Sequence, residues 1–309
     1  MRIVFMGAAD LSCDCLNALL EDGQHEVVAV VTQPDRPSGR NLKVHPCIVK
    51  TLAEQRGIPV MTPVRINTPE SIETVREYSP DIVVVVAYGQ ILNSTSLGLP
   101  QKGCVNMHYS LLPKYRGAAP IHWAVANGDS ISGVTAMYMS EGMDEGDIIA
   151  QVETPIENED TAGTLHDRLS VLGADLAVRV VSDIGRGTVN RTPQNNDDAS
   201  YASKLKKSNG RINWTRSSEE IYNHVRGFNP WPGCFCTLPG GATLRIHKCR
   251  AETDGGHPGE VMDAGREGPS VAAGEGSVRL LEVQPEGRRI MTGEAYLCGH
   301  GLKTGDRLQ

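Results

Sequence analysis

No stretch of the 309-residue chain approaches the roughly 20 consecutive apolar residues that a membrane-spanning helix needs, so no membrane segment is expected. The first residues, Met1-Arg2-Ile3-Val4-Phe5-Met6-Gly7, read as a strand and lack the separate charged and apolar regions of a signal peptide. These two absences predict a soluble, unexported, cytoplasmic protein with no membrane partner, and a monomer is the expectation. Zinc-type spacing is missing as well. The eight cysteines include Cys13/Cys15 and Cys234/Cys236 as C-x-C pairs, but there is no C-x-x-C and no histidine at ligand spacing. Reduced thiols and no metal site are expected, and the paired sulfurs read first as small buried side chains.

An excess of positive charge is also lacking. The net charge of −7 argues against a protein coated for nucleic acid, yet the charge is unevenly spread. Residues 204–309 carry 15 Lys/Arg against 12 Asp/Glu, whereas residues 1–203 carry 15 against 25. Such asymmetry suits an acidic domain joined to a mildly basic one that faces a polyanion, or simply a solvated surface with no partner. At 39% hydrophobic content the chain has material for a substantial core, and two domains are the starting expectation.

What is present is a β-α-β series. Arg2 to Met6, Glu26 to Val31, Ile58 to Met61, Ile82 to Val86 and Cys104 to His108 read as strands, separated by helical patterns around Cys15 to Leu20, Val49 to Gln55 and Pro69 to Tyr78. Val83 to Val86 is a continuous apolar run of the kind buried on both faces of a sheet. The fold class predicted is therefore α/β, a Rossmann-like, doubly wound and mostly parallel sheet with sites beyond the carboxyl ends of its strands. After the first strand, Gly7-Ala8-Ala9-Asp10 lacks the second and third glycines of G-x-G-x-x-G, which disfavours NAD or a flavin.

A helix is predicted over Thr161 to Ile184, with Leu165, Leu169, Leu172, Leu176 and Val180 at three- and four-residue spacing. Beyond it the chain turns polar and turn-rich, with Pro193 and Asn195-Asn196-Asp197-Asp198. From Trp214 onward comes one helical stretch around Glu219 to Arg226, then short strand-like runs at Phe235–Leu238, Thr243–Arg250, Gly259–Met262, Val271–Ala273 and Val278–Val283. Glycine-punctuated short strands imply a smaller β-barrel, with an open OB-like form as one candidate. The boundaries read as an α/β domain over 1–188, a linker over 189–208 and a carboxyl-terminal OB-like domain over 209–309.

Asn106 and His108 end the strand Cys104–His108. Side chains two apart on a strand share a face, so this amide and imidazole project together while Met107 turns away. A turn-rich loop follows, Ser110-Leu111-Leu112-Pro113-Lys114-Tyr115-Arg116-Gly117, and later comes Glu141-Gly142-Met143-Asp144-Glu145-Gly146-Asp147. An Asn, a His and an Asp could converge there. Taken singly, Asn106 reads equally as a turn cap, His108 as a satisfied half-buried histidine and Asp144 as a solvated turn residue.

The Asn-x-His pair before Ser-Leu-Leu-Pro, with an Asp in a later glycine-rich turn, resembles the signature of the folate-dependent formyltransferase family. Further matches are Thr32 to Arg40, Val84-Val85-Val86-Ala87-Tyr88-Gly89, Tyr115 to Ile121, Asp160 to Leu165, Gly210 to Trp214 and Asn229-Pro230-Trp231-Pro232-Gly233, which together span nearly the whole chain. Departures from the pattern are Gly7-Ala8-Ala9-Asp10 in place of Gly-Thr-Pro-Asp, the stretch Leu11 to Cys15, and Asn41-Leu42-Lys43 where a more basic Gly-Lys-Lys type of stretch is common.

The resemblance implies that 10-formyltetrahydrofolate is the co-substrate and that the α-amine of methionine on initiator tRNA is the acceptor. It makes Asn106, His108 and Asp144 the catalytic residues. Asn106 and a protonated His108 would donate to the developing oxyanion, and Asp144 would either favour that imidazolium or take the amine's proton. It assigns Ser110, Leu111, Leu112 and Pro113, with Val86 and Tyr88 nearby, to folate, although ordinary core packing explains the leucines equally. It assigns Arg40, Lys204, Lys206 and Lys207 to tRNA; a solvated linker accounts for the lysines as well. Trp214 and Trp231 read as anchors of the second domain or as stacking platforms. Three rivals remain: transfer to an amino sugar or small ribonucleotide amine, a non-catalytic nucleotide- or RNA-binding module, and hydrolysis of the folate.

Overall fold

The computed structural model describes residues 1–38, 43–265, 267–300 and 302–309, and these divide into two compact units. The first comprises Met1–Gly117, Ser132–Thr154 and His166–Tyr201; the second comprises Ala118–Ile131, Pro155–Leu165 and Ala202–Gln309.

The first unit is built on a seven-stranded sheet. From one edge to the other run Val60–Met61, Glu26–Val31, Arg2–Gly7, Ile82–Val86, Cys104–His108, Ile131–Tyr138 and Ile148–Pro155. The first five are parallel to their neighbours, and Ile131–Tyr138 lies antiparallel to Cys104–His108. From Arg2–Gly7 the chain winds one way to Glu26–Val31 and Val60–Met61, then crosses back to add Ile82–Val86 on the other side. The carboxyl ends of Arg2–Gly7 and Ile82–Val86 therefore form the switch point where such sheets hold their ligands. Burial explains why these strands read as apolar runs: Ile3, Val4 and Phe5, and Ile82, Val83, Val84 and Val86, are each 0% exposed.

The helices fall where the apolar spacing placed them, over Asp10–Asp22, Ile48–Gln55, Pro69–Glu77 and Ala162–Arg186. Leu165, Leu169, Leu176 and Val180 of the long helix are buried as its periodicity requires, while Leu172 is only half-buried. In the first turn of the helix that follows Arg2–Gly7, the buried Ser12 hydroxyl donates to the Val86 carbonyl at 2.7 Å, tying that helix to the neighbouring strand at the switch point.

The second unit is an antiparallel sheet in the order Cys234–Thr237, Thr243–Glu252, Ser277–Pro285, Ser270–Ala272 and Val261–Asp263, with Met291–Thr292 pairing to Ser277–Pro285. The sheet is open: among the described residues, no pairing joins its two end strands. Its core gathers Trp214, Ile221, Val225, Phe228, Leu244, Ile246, Val261, Leu280 and Val283. The helix Ser218–Gly227 packs on this core and starts with a reciprocal cap, in which Glu220 N donates to Ser217 Oγ at 3.2 Å and Ser217 N to Glu220 Oε2 at 2.9 Å. Cys234, Cys236 and Cys249 are buried thiols whose pKa burial raises, Cys236 and Cys249 to about 12, in keeping with the bland reading of the second C-x-C pair.

Candidate active site

Cys104–His108 is the last parallel strand, so its carboxyl end faces the sheet's ligand-binding edge. Asn106 and His108 share one face of it and Met107, 1% exposed, packs on the other. His108 is itself buried at 5% exposure. Its Nε2 lies 2.9 Å from the Tyr115 carbonyl, which can only accept, so Nε2 carries a proton. Nδ1 faces Asp144 Oδ2 at 3.7 Å. Asn106 is half-buried, and its side chain has no hydrogen-bonding partner among the described residues.

Asp144 reaches His108 by an indirect route. Tyr138 pairs with Val105 and Thr135 with His108, so the antiparallel strand delivers the chain to the far end of Cys104–His108. The turn after Tyr138 is closed at its base by Tyr138 N donating to Asp147 O at 2.9 Å. It then folds back along the sheet by about 10 Å, the rise of three strand residues, to bring the carboxylate to the imidazole. Asp144 adopts φ 52°, a left-handed conformation that aspartate tolerates better than most residues. Gly146 is required at this turn, because a Cβ there would lie 1.9 Å from the Tyr138 carbonyl oxygen. Asp144 Oδ2 accepts from Gly117 N at 2.8 Å; Oδ1 has no partner among the described residues.

The loop after His108 is held at every carbonyl from Ser110 to Tyr115. Ser110 O accepts from Thr135 Oγ1 at 2.6 Å, Leu111 O from Lys114 N at 3.1 Å, and Leu112 O from Gln151 Nε2 at 3.0 Å. Pro113 O accepts from Ser200 N at 3.3 Å, Lys114 O from Ser110 Oγ at 2.6 Å, and Tyr115 O from His108. Thr135, which is 0% exposed, also accepts from Leu112 N at 3.1 Å and from Gln151 Nε2 at 2.9 Å. This loop is a pinned shelf, each of these carbonyls already accepting a hydrogen bond.

The residues that the resemblance assigns to folate sit as follows. Ser110 and Leu112 are buried and Pro113 is half-buried. The half-buried Leu111 packs where Gly133 has no side chain: a Cβ on Gly133 would fall 2.5 Å from Leu111 Cδ2. Val86 is 0% exposed. Tyr88 is 1% exposed among the aliphatic core, and its hydroxyl, unpartnered there, is pushed up to about 12 by burial. The exposed backbone beside it, with Ala87 at φ 45° and Gly89 at φ 81°, is the part of that stretch open to a ligand. Of the residues assigned to tRNA, Arg40 lies outside the described residues. Lys204, Lys206 and Lys207 are exposed around the buried Leu205 in the second unit.

Sequence reasoning missed three parts of the first unit. A cavity of about 440 Å³ opens behind the Asp144 turn, lined by Tyr138, Ser140, Glu145, Asp147, Arg191 and Gln194 among others, and none of Asn106, His108 or Asp144 lines it. The Arg191 guanidinium lies 3.9 Å from the Tyr138 ring centroid at its wall. Arg116, within the recognised loop, is a fully buried guanidinium bonded to Gln194 and Asn196. Both partners come from the segment read as a linker, where polar composition gave no signal of a structured role. Among the described residues, no group of three His, Cys, Asp or Glu could hold a metal ion.

Against known proteins, the formyl transferase pattern matches residues 1–181 and the formyl transferase C-terminal domain pattern matches residues 204–301. The methionyl-tRNA formyltransferase of Geobacter metallireducens is 44% identical over 308 residues, covering 100% of this chain and 98% of that protein. That of Halothermothrix orenii is 45% identical over 316 residues, covering 100% of both. Solved structures agree in fold. An N-formyltransferase from Helicobacter canadensis, in complex with folinic acid and dTDP-3-aminofucose, matches with TM-score 0.66 at 21% identity over 92% of this chain and 99% of that one. HypX from Aquifex aeolicus, in complex with tetrahydrofolic acid, matches with TM-score 0.63 at 20% identity over 98% of this chain and 48% of that one. Matched end to end by relatives of one name, and carrying both domains, the chain belongs to the methionyl-tRNA formyltransferase family of folate-dependent formyl transferases.

Proposed function

We propose that the rim above Cys104–His108 is where the formyl group changes hands. The enzyme transfers it from 10-formyltetrahydrofolate to the α-amino group of methionyl-initiator tRNA, for translation initiation. In the transfer, the neutral amine attacks the formyl carbon, a C–N bond forms, and charge develops on the formyl oxygen. Collapse then breaks the bond to the folate nitrogen, which takes up a proton as it leaves, while the attacking amine gives one up, so no proton is gained or lost overall.

The observation that carries the reading is the pairing of His108 Nδ1 with Asp144 Oδ2 at 3.7 Å, with Nε2 already committed to the Tyr115 carbonyl. Nδ1 is thus the nitrogen left to serve the reaction. In the imidazolium, Nδ1 also carries a proton, and together with the unpartnered amide of Asn106 it supplies donors for the oxyanion. Asp144 has its Oδ2 held by Gly117 N and keeps Oδ1 to take the amine's proton, directly or through water. A free α-amino group has a pKa of about 8, so a strong base is not required. The folate lies against the pinned Ser110–Pro113 shelf and the exposed backbone at Ala87 and Gly89, either side of Tyr88. Because each of the shelf's carbonyls already accepts a hydrogen bond, the shelf is fixed in shape before the folate arrives.

Residues 1–188 form the catalytic domain, 189–208 the linker and 209–309 the tRNA-binding domain, which we read as OB-like; its antiparallel sheet supports that reading. Lys204, Lys206 and Lys207, exposed and of one sign, suit phosphate contacts, and Arg40 is assigned to the acceptor end of the tRNA.

Single-turnover formylation tests the site. Asn106→Ala, His108→Ala and Asp144→Ala should each lower the rate by about 10²–10³ with folate binding retained. Wild-type rates in all three would remove the chemistry assigned here. Product on a small amine but none on methionyl-tRNA would remove the acceptor.

A further inference from the structure

We propose that Gln194, backed by the buried guanidinium of Arg116, is the positioning residue that holds Asp144 for the transfer step; this inference rests on the role given to Asp144 above.

Every hydrogen-bonding site of the Gln194 carboxamide that faces this turn is used. Its Nε2 donates to Asp144 O and to Gly146 O, each at 2.8 Å, spanning the turn on both sides of Glu145. Its Oε1 accepts from Arg116 Nε at 3.2 Å and Nη2 at 2.8 Å, and Nη2 also donates to Asn196 Oδ1 at 2.9 Å. Only a side chain with two donors on one atom and an acceptor on another can join a guanidinium to two carbonyls. A carboxylate would set oxygen against oxygen.

Arg116 is 2% exposed and makes no ion pair among the described residues. Its charge is met by the two amide oxygens, and the polarised Gln194 amide passes part of that field on to the carbonyls of the turn. Arg116 is also the chain neighbour of Gly117, whose N–H holds Asp144 Oδ2. One short segment therefore fixes the acid twice, its carboxylate through Gly117 and its backbone through Arg116 and Gln194.

The backbone needs that hold. Asp144 sits at φ 52°, a left-handed conformation whose strain in a non-glycine residue its surroundings must offset. The turn cannot relieve the strain by sliding inward, since Gly146 already lies against the Tyr138 carbonyl. Releasing the two carbonyls lets the turn relax outward, which displaces the carboxylate from His108 Nδ1.

The test compares wild type with Gln194→Glu and Gln194→Met, both near-isosteric, each alone and combined with Asp144→Ala. It reads single-turnover rate, KM for both substrates and thermal midpoint. Gln194→Glu keeps an acceptor on Arg116 and removes both donors. It should lower the rate about tenfold to a hundredfold, the scale of a displacement near 1 Å, with KM values within about threefold and the midpoint held. Gln194→Met should lose as much rate even where its midpoint falls. In the Asp144→Ala background, neither should cause further loss. A wild-type rate in Gln194→Glu, a loss that adds to that of Asp144→Ala, or a loss seen only in KM would overturn the proposal. Asp144→Ala measured alone separates the two levels: if it retains full rate, the role of Asp144 itself has failed; if it is slow while Gln194→Glu is not, only the clamp has.

Discussion

Lowering the pH from 7.5 to 5 should destabilise the second unit by about 2 kcal/mol through His224 alone. This imidazole sits edge-on to Phe228, ring centroids 4.6 Å apart, with its buried Nε2 unpartnered. Burial first, and then the charge of Arg216, push its pKa down from 6.5 to about 4. Above pH 6.5 both folded and unfolded chains are neutral at this site, and its contribution is fully present. As pH falls toward 4 the unfolded chain takes up a proton that the folded chain refuses, so stability drops with the difference in proton binding. With a folded pKa of about 4 and an unfolded one of 6.5, the loss at pH 5 is about 2 kcal/mol, approaching roughly 3 kcal/mol below pH 4. All three tryptophans, Trp123, Trp214 and Trp231, belong to the second unit, so urea unfolding followed by tryptophan fluorescence reports on that unit. Trp123 lies 5.4 Å from the same Phe228 ring, centroid to centroid. The comparison is between wild type and His224→Leu at the two pH values, because titrating carboxylates affect both proteins equally. An identical pH dependence in the two proteins would refute the reasoning.

Two other perturbations test the shelf and the tRNA contacts. Thr135→Val removes three hydrogen bonds at a fully buried position and should cost about 2 kcal/mol by far-UV circular dichroism, with a higher KM for the folate; an unchanged KM would mean that the shelf does not shape the folate site. Replacing Lys204, Lys206 and Lys207 together with alanine should make the apparent KM for tRNA less salt-dependent, flattening the log–log slope by about two, and should leave the folate KM alone; equal slopes would show the lysines to be merely solvated.

How far the fold could be read from the sequence depended on burial. Glu26–Val31, Ile82–Val86 and Cys104–His108 have the bounds expected of them; Val27–Val31 and Ile82–Val86 are unbroken apolar runs because strands covered on both faces need no polar positions, and Cys104–His108 departs from that pattern only at Asn106 and His108. The edge strand Ile148–Pro155 escaped notice for the opposite reason: it is mostly half-buried, and the exposed Gln151 and Glu153 break its pattern. Ile131–Tyr138 was also missed, and with it the route by which Asp144 arrives. Within the site, the pairing of His108 with Asp144 was anticipated from motif resemblance, since spacing alone left each residue a dull alternative. Gln194 and Asn196 were invisible for a physical reason. Their contribution comes from carboxamides meeting a guanidinium from elsewhere in the chain, and local composition does not encode such long-range pairing.

The folded-back turn has a consequence for tolerance to change. Hairpin tips are ordinarily where homologous chains gain or lose residues without harm. Here the tip carries the carboxylate, and its reach is measured from an anchor at Tyr138 on the opposite end of the strand. A single inserted or deleted residue between Met139 and Asp144 would mis-set the acid by about 3 Å, one step of extended chain, while leaving the sheet intact. That hairpin is a ruler, and its length should be as restricted as the identity of the residue at its end.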